Sequence, residues 1–115
     1  MTINNLNQWD IWFAEFPFED TSELKDRPVI ILSIEPLKVL SIKVTSSGPR
    51  TEDKFDIPIT KWQDAGLKNA STARIAKTIR LDVDKFRRKL GTLHMDDREK
   101  ILNTFSLYIS QSKAE

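Results

Sequence analysis

Pro28-Val29-Ile30-Ile31-Leu32-Ser33-Ile34, followed closely by Val39-Leu40-Ser41-Ile42-Lys43-Val44-Thr45, decides the fold class of this chain. The first segment is a β-branched run opened by proline, which a strand tolerates as its first residue. In the second, Leu40, Ile42 and Val44 alternate with Ser41 and Lys43, the period of a strand with one apolar face. Upstream, Trp9 to Phe16 is aromatic and apolar on both faces, as in a central strand covered on both sides, and Pro17 closes it. Phe18 to Asp26 reads as a polar, acidic loop. Downstream, Phe55, Ile57 and Ile59 alternate with Lys54, Asp56 and Pro58, and the proline assigns that strand to a sheet edge. Thr60 is placed to N-cap a short turn over Lys61 to Ala65, closed by Gly66. Ser71 to Ile79 reads as another strand, with Ala73, Ile75 and Lys77 on one face and Thr72, Arg74, Ala76 and Thr78 on the other. The spacing of Val83, Phe86 and Leu90 predicts a short basic helix from Asp82 or Asp84 to Gly91. Asp96 and Glu99 then form a capping-box-like start to a final helix carrying Ile101, Leu102, Phe105, Tyr108 and Ile109. Strands first and helices afterwards make a small α+β domain, its curved sheet closed or half-closed around the core.

The 115 residues are enough for one domain, and 1–115 is read as a single unit. With no cysteine, disulfides, thiol catalysis and thiolate zinc sites are excluded, and the lone His94 cannot form a two-histidine acid–base pair. No apolar run approaches membrane-spanning length and the start is polar, so a soluble, cytoplasmic protein is expected. The net charge of +1 hides an asymmetry: six basic and ten acidic residues fall in 1–60, eleven and six in 61–100. A basic second half suits an anionic partner, although a solvated face of mixed charges explains such a split as readily. Nucleotide-loop, zinc-hydrolase and serine-hydrolase motifs are absent. What the sequence does offer is Arg27 directly before Pro28, the run Thr45-Ser46-Ser47, and Ser71, Thr72 and Arg74. Guanidinium forks with hydroxyls nearby are the equipment of a phosphate site.

Five ordered segments resemble the MazF/PemK family of toxins, the ribonuclease half of bacterial toxin–antitoxin pairs. They are Asp10 to Pro17, Glu23 to Ser33 with its Arg27-Pro28 step, Val44-Thr45-Ser46, Ser71 to Asp82, and Arg88 to Leu93. The resemblance implies an SH3-like small β-barrel of the CcdB/PemK kind with a C-terminal helix, and a homodimer neutralised by a small antitoxin. It further implies metal-independent cleavage of single-stranded RNA, by attack of the ribose 2′-OH on the adjacent phosphate. Such chemistry needs no cofactor, only a base, a cation for the phosphorane charge and a donor for the leaving oxygen. By position, Arg27 matches the family's catalytic arginine, Thr45 its catalytic threonine, and Arg74 a second arginine that acts as acid or clamp in the PemK/Kid branch. Ser22, Lys25, Ser46, Ser71 and Lys77 are the accompanying candidates for RNA contact.

Three departures qualify the resemblance. The branch's basic Asp, two residues after the second arginine, is replaced by Ala76, which leaves Glu23 as the candidate general base. The branch's loop histidine has no counterpart between Phe18 and Asp26, and the usual glycine before the first-strand Asp is Trp9. These departures keep a second reading open, a catalytically silent barrel that binds antitoxin, RNA or a protein target such as gyrase.

Overall fold

A computed structural model describes residues 5–17, 24–49 and 53–113. Six strands form one antiparallel sheet: β1 (Asp10–Pro17), β2 (Leu24–Ile34), β3 (Lys38–Thr45), β4 (Asp56–Ile59), β5 (Ser71–Asp82) and β6 (Phe86–Thr92). The spatial order is β4-β5-β3-β2-β1-β6, and a single helix, α1 (Met95–Lys113), follows the sheet. The ladder is not closed, yet the fold is barrel-like. Its two edges meet where the turn after β4 abuts β6: a Cβ on Gly66 would collide with the Leu90 carbonyl, and one on Gly91 with the Ala65 carbonyl. Gly66 also has φ +90, so both positions exclude a side chain for reasons of space and one for conformation as well. Among the described residues no helix is long and apolar enough to cross a membrane.

The core has two compartments. The larger gathers Ile11, Ile30, Leu32, Ile42, Val44, Ile57 and Ile59 inside the curved sheet, where Ile101, Phe105 and Tyr108 of α1 pack against it. The smaller, on the opposite sheet face, holds Leu6, Trp12, Ala14, Phe16, Val29, Ile31, Leu81 and Phe86. Adjacent residues of β1 and β2 therefore enter different compartments, which is why both segments read as apolar on both faces. The two-sided character of β1 is satisfied within one chain except at Phe13, which joins neither compartment.

Four sequence expectations are corrected. The predicted helix over 82–91 is a 3-10 turn, Val83–Lys85, followed by strand β6. Arg87 and Leu90 have no partner on β1, because the register slips between Phe13 and Ala14 and again between Ile11 and Trp12. The three-residue step from Val83 to Phe86 comes from the 3-10 turn, and Phe86 and Leu90 pack in different core compartments, so the helix-like spacing does not mark one face. Pro28 does not open its strand; β2 begins at Leu24, and Pro28 lies where β2 pairs with β1 alone, so its missing N–H costs no second ladder. The strict two-face alternation of β5 also fails. Lys43 pairs with Arg74 while Ile42 pairs with Thr78, leaving residues 75–77 without partners on β3. The bulge is held by Phe55, whose carbonyl accepts the Ile75 N–H, and by the Tyr108 hydroxyl, which donates to the Ala76 carbonyl at 3.4 Å.

The last correction concerns caps. Asp96 does not cap α1; His94 Nδ1 accepts the Asp96 N–H at 3.0 Å. Nor does Thr60 cap its own turn. The buried Asp97 carboxylate accepts the Thr60 N–H (3.1 Å), the Thr60 hydroxyl (2.7 Å) and the Lys61 N–H (2.9 Å), so a residue of α1 caps the turn after β4.

Candidate active site

The β2–β3 ladder stops at Val29 opposite Lys43. Beyond that point the strands part, and a cleft of about 390 Å³ occupies the opening. Asp26, Arg27 and Pro28 of β2 form one wall, and Val44, Thr45 and Ser46 at the end of β3 form another. Residues 66–69 and Ser71 supply a third, Arg88, Lys89 and Leu90 of β6 a fourth, and Phe13 of β1 also lines the space. Continuing the β2–β3 register by two residues sets Arg27 across from Thr45. The pairing legible only as two separate motifs in the sequence thus becomes a shared site.

Among the described residues the lining is cationic, with Arg27, Lys68, Arg88 and Lys89 against the carboxylate of Asp26. Asp26 faces Arg87 at 3.5 Å, which draws its charge toward the outer edge of β6. Hydroxyls complete the site: Thr45 Oγ1 accepts the Ser47 N–H at 3.2 Å, and Ser71 donates to the Asn69 carbonyl at 2.7 Å. A planar guanidinium, ammonium groups and hydroxyls around a half-open space form a site for an anion with several oxygens. Among the described residues no three His, Asp or Glu side chains converge as a metal-binding group.

The remaining candidates fall elsewhere. Arg74 does not line the cleft; its side chain is 14% exposed, with Nη1 3.9 Å from the fully buried Asp56 carboxylate. Its buried Nε has no hydrogen-bond partner among the described residues. Lys25, opposite Phe16 on β2, and Lys77, in the β5 bulge, also lie off the cleft wall. Ser22 and Glu23 lie outside the described residues. Phe13, Lys68 and Asn69 were not singled out by the sequence, since a strand aromatic reads as core and residues after a turn glycine read as loop. Arg87, Arg88 and Lys89, expected on the basic helix, belong instead to β6, which sets Arg88 opposite Phe13 and Lys89 opposite Trp12.

The charge asymmetry of the chain is partly consumed in pairing β6 with its neighbours. Arg87 bridges Glu15 at 2.7 Å, Lys85 lies 3.7 Å from Glu15, and Lys89 lies 3.5 Å from the buried Asp10. The basic second half is therefore no uniform binding face; Lys68, Arg88 and Lys89 are the members that line the cleft.

A small barrel-like sheet with a cationic cleft at parted strand ends is the class that fold and site define. Residues 7–109 match the family of PemK-like, MazF-like toxins of type II toxin–antitoxin systems, and the chain belongs to that family. Among solved structures it is similar to the Mycobacterium tuberculosis toxin MazF-mt6, with 22% identity and a TM-score of 0.69 over 88% of this chain and 96% of that one. It is also similar to an endoribonuclease from mycobacterial species, with 14% identity, a TM-score of 0.74 and 96% of both chains covered. No curated protein sequence matches the chain significantly.

Proposed function

We propose that this toxin-family chain is an endoribonuclease that cuts single-stranded RNA without a metal ion, leaving a 2′,3′-cyclic phosphate and a 5′-OH. The observation that carries the reading is the convergence of Arg27 and Thr45 on one cationic cleft. In this reading the scissile phosphate lies between them. The Arg27 fork receives the phosphorane charge as it develops and hydrogen-bonds the leaving 5′-oxygen, which takes its proton from water, and the Thr45 hydroxyl donates to a phosphate oxygen. Lys68 and Lys89 hold the flanking backbone, so binding weakens as salt rises. Glu23, which directly precedes β2, is the proposed base for the 2′-OH. Arg74, tied to Asp56, adds positive potential from the neighbouring strands rather than a contact. The homodimer, the small antitoxin as partner and the cytoplasm as place of action belong to the same proposal, and they follow from family membership.

The test is incubation of purified protein with a long mixed-sequence RNA in EDTA, followed by mapping of the 5′ ends. Discrete new 5′-OH ends are expected. RNA that is bound but left intact under every sequence offered would sink the enzyme reading and leave a binding module.

A further inference from the structure

Among the described residues Phe13 is the one aromatic ring outside both core compartments. Alternation along β1 places it on the face of Ile11, but it is only half-buried and lines the cleft. The Arg88 guanidinium, directly opposite on β6, lies over its ring with the central carbon 4.9 Å from the centroid. Burying a phenyl ring is among the larger gains available to a small domain, so a ring withheld from both cores is surface available for a ligand. Arg87, one residue earlier, is held by Glu15 and Asp26, whereas the exposed Arg88 has its guanidinium on the ring.

We infer that Phe13 and Arg88 form a stacking platform for one unpaired nucleobase of the RNA, next to the phosphate held by Arg27 and Thr45. The inference rests on the ribonuclease reading and extends it from backbone binding to base selection. Sequence-dependent reading of RNA uses bases splayed out of the strand and stacked on aromatic rings or guanidinium planes. Here both kinds of surface are joined in one column, and the base stacks on its outer, guanidinium end. Asn69, on the same cleft, offers an amide whose donor and acceptor suit the edge of that base.

The test is a cycle between protein and nucleic acid. A cleavable site, mapped on wild type, is made as an oligonucleotide with a 2′-O-methyl group at the scissile ribose, so that binding is read without turnover. An abasic residue is then placed at each position in turn. On wild type, one position adjacent to the scissile phosphate should lose about 5- to 100-fold in Kd when its base is removed. In Phe13→Ala that penalty should vanish, while penalties at other positions stay as they were. Arg88→Lys keeps the charge but not the plane; it should retain the salt dependence of binding and lose most of the same penalty. Arg88 is exposed, so this variant is expected to fold even if Phe13→Ala does not. Wild type that cuts RNA but shows no position whose abasic penalty depends on Phe13 or Arg88 overturns the platform and leaves the ribonuclease reading standing. Wild type that neither cuts nor binds RNA removes both.

Discussion

At Arg27 the chain places a planar cation on β2 that is half-buried and opens onto the cleft. Arg27→Ala is expected to reduce RNA cleavage by about 10²–10³-fold, the usual loss when one donor to a developing oxyanion is removed. Unfolding free energy should change by only about 1 kcal/mol, and Arg27→Lys should rescue poorly because a point charge lacks the fork. Cleavage rates and urea melts of the two variants check both statements. Trp9 shows the opposite kind of residue, one that the backbone resists. Its φ of 73 lies in the left-handed region, which costs a non-glycine residue about 1–2 kcal/mol. The indole offsets the strain by packing on the larger core, with Arg98 5.9 Å above it. Asp97 is a third kind, buried and charged, with three donors on its carboxylate. Asp97→Ala strands those donors and is expected to cost about 2–4 kcal/mol in urea unfolding. Asp97→Asn should recover only part of this, because its amide presents N–H to N–H.

At the scale of elements, bulges shape the site. The β5 bulge divides that strand's ladder with β3: residues 72–74 pair with the end of β3, and with β4 on their other side, whereas residues 78–82 pair with its start, so the sheet bends. It also removes the argument that residue 76 shares a face with Arg74, since Thr78 now pairs with the core residue Ile42. The β6 bulges work similarly, bringing Arg88 opposite Phe13 and Gly91 against the turn after β4. That last contact joins two cleft walls, residues 66–69 and 88–90. Gly91→Ala forces a methyl group into the Ala65 carbonyl, and the expected cost is about 2–3 kcal/mol. Because the walls must separate to admit it, RNA affinity should fall in the fraction that remains folded. Thermal melts and filter binding on one preparation check the two effects together.

For the whole molecule, the acidic first half and basic second half meet across the β1–β6 boundary. Where β3 starts and β5 ends the signs are reversed, and Lys38 Nζ lies 2.6 Å from Asp82 Oδ1. The hydrogen bond and charge of Lys38 hold the Asp82 carboxyl below its ordinary value of 3.8. A depressed folded-state value means that the stabilisation is complete above the ordinary carboxylate range and is lost as pH falls through the folded value. Lys38→Met should therefore be less stable than wild type at neutral pH, with the difference shrinking as pH falls through the folded value. The same difference should shrink in high salt, since both groups are about half exposed. Chemical denaturation at pH 7 and pH 3, with and without salt, measures it. The proposed dimer is tested by light scattering: about twice the 13.3 kDa chain mass is expected at tens of micromolar. A monomer throughout that range would remove the twofold interface.

The sequence by itself determined the β-rich α+β class, five of the six strands, the edge position of β4 and the terminal helix. These depend on local periodicity and on proline, which act within a few residues of one another. It also determined Arg27 and Thr45 as site candidates, because both belong to short motifs that carry the family resemblance. Only the tertiary structure decided that they share a cleft, since that follows from where the β2–β3 ladder stops. It alone turned the helical spacing of 83–90 into a 3-10 turn and a bulged strand, because a bulge is visible only against its partner. It alone tied Arg74 to Asp56 and capped the Thr60 turn with Asp97, which lies 37 residues away in sequence. And it alone kept Phe13 out of the core: a strand's alternation says which face a ring is on, and the neighbouring strands decide whether anything covers it.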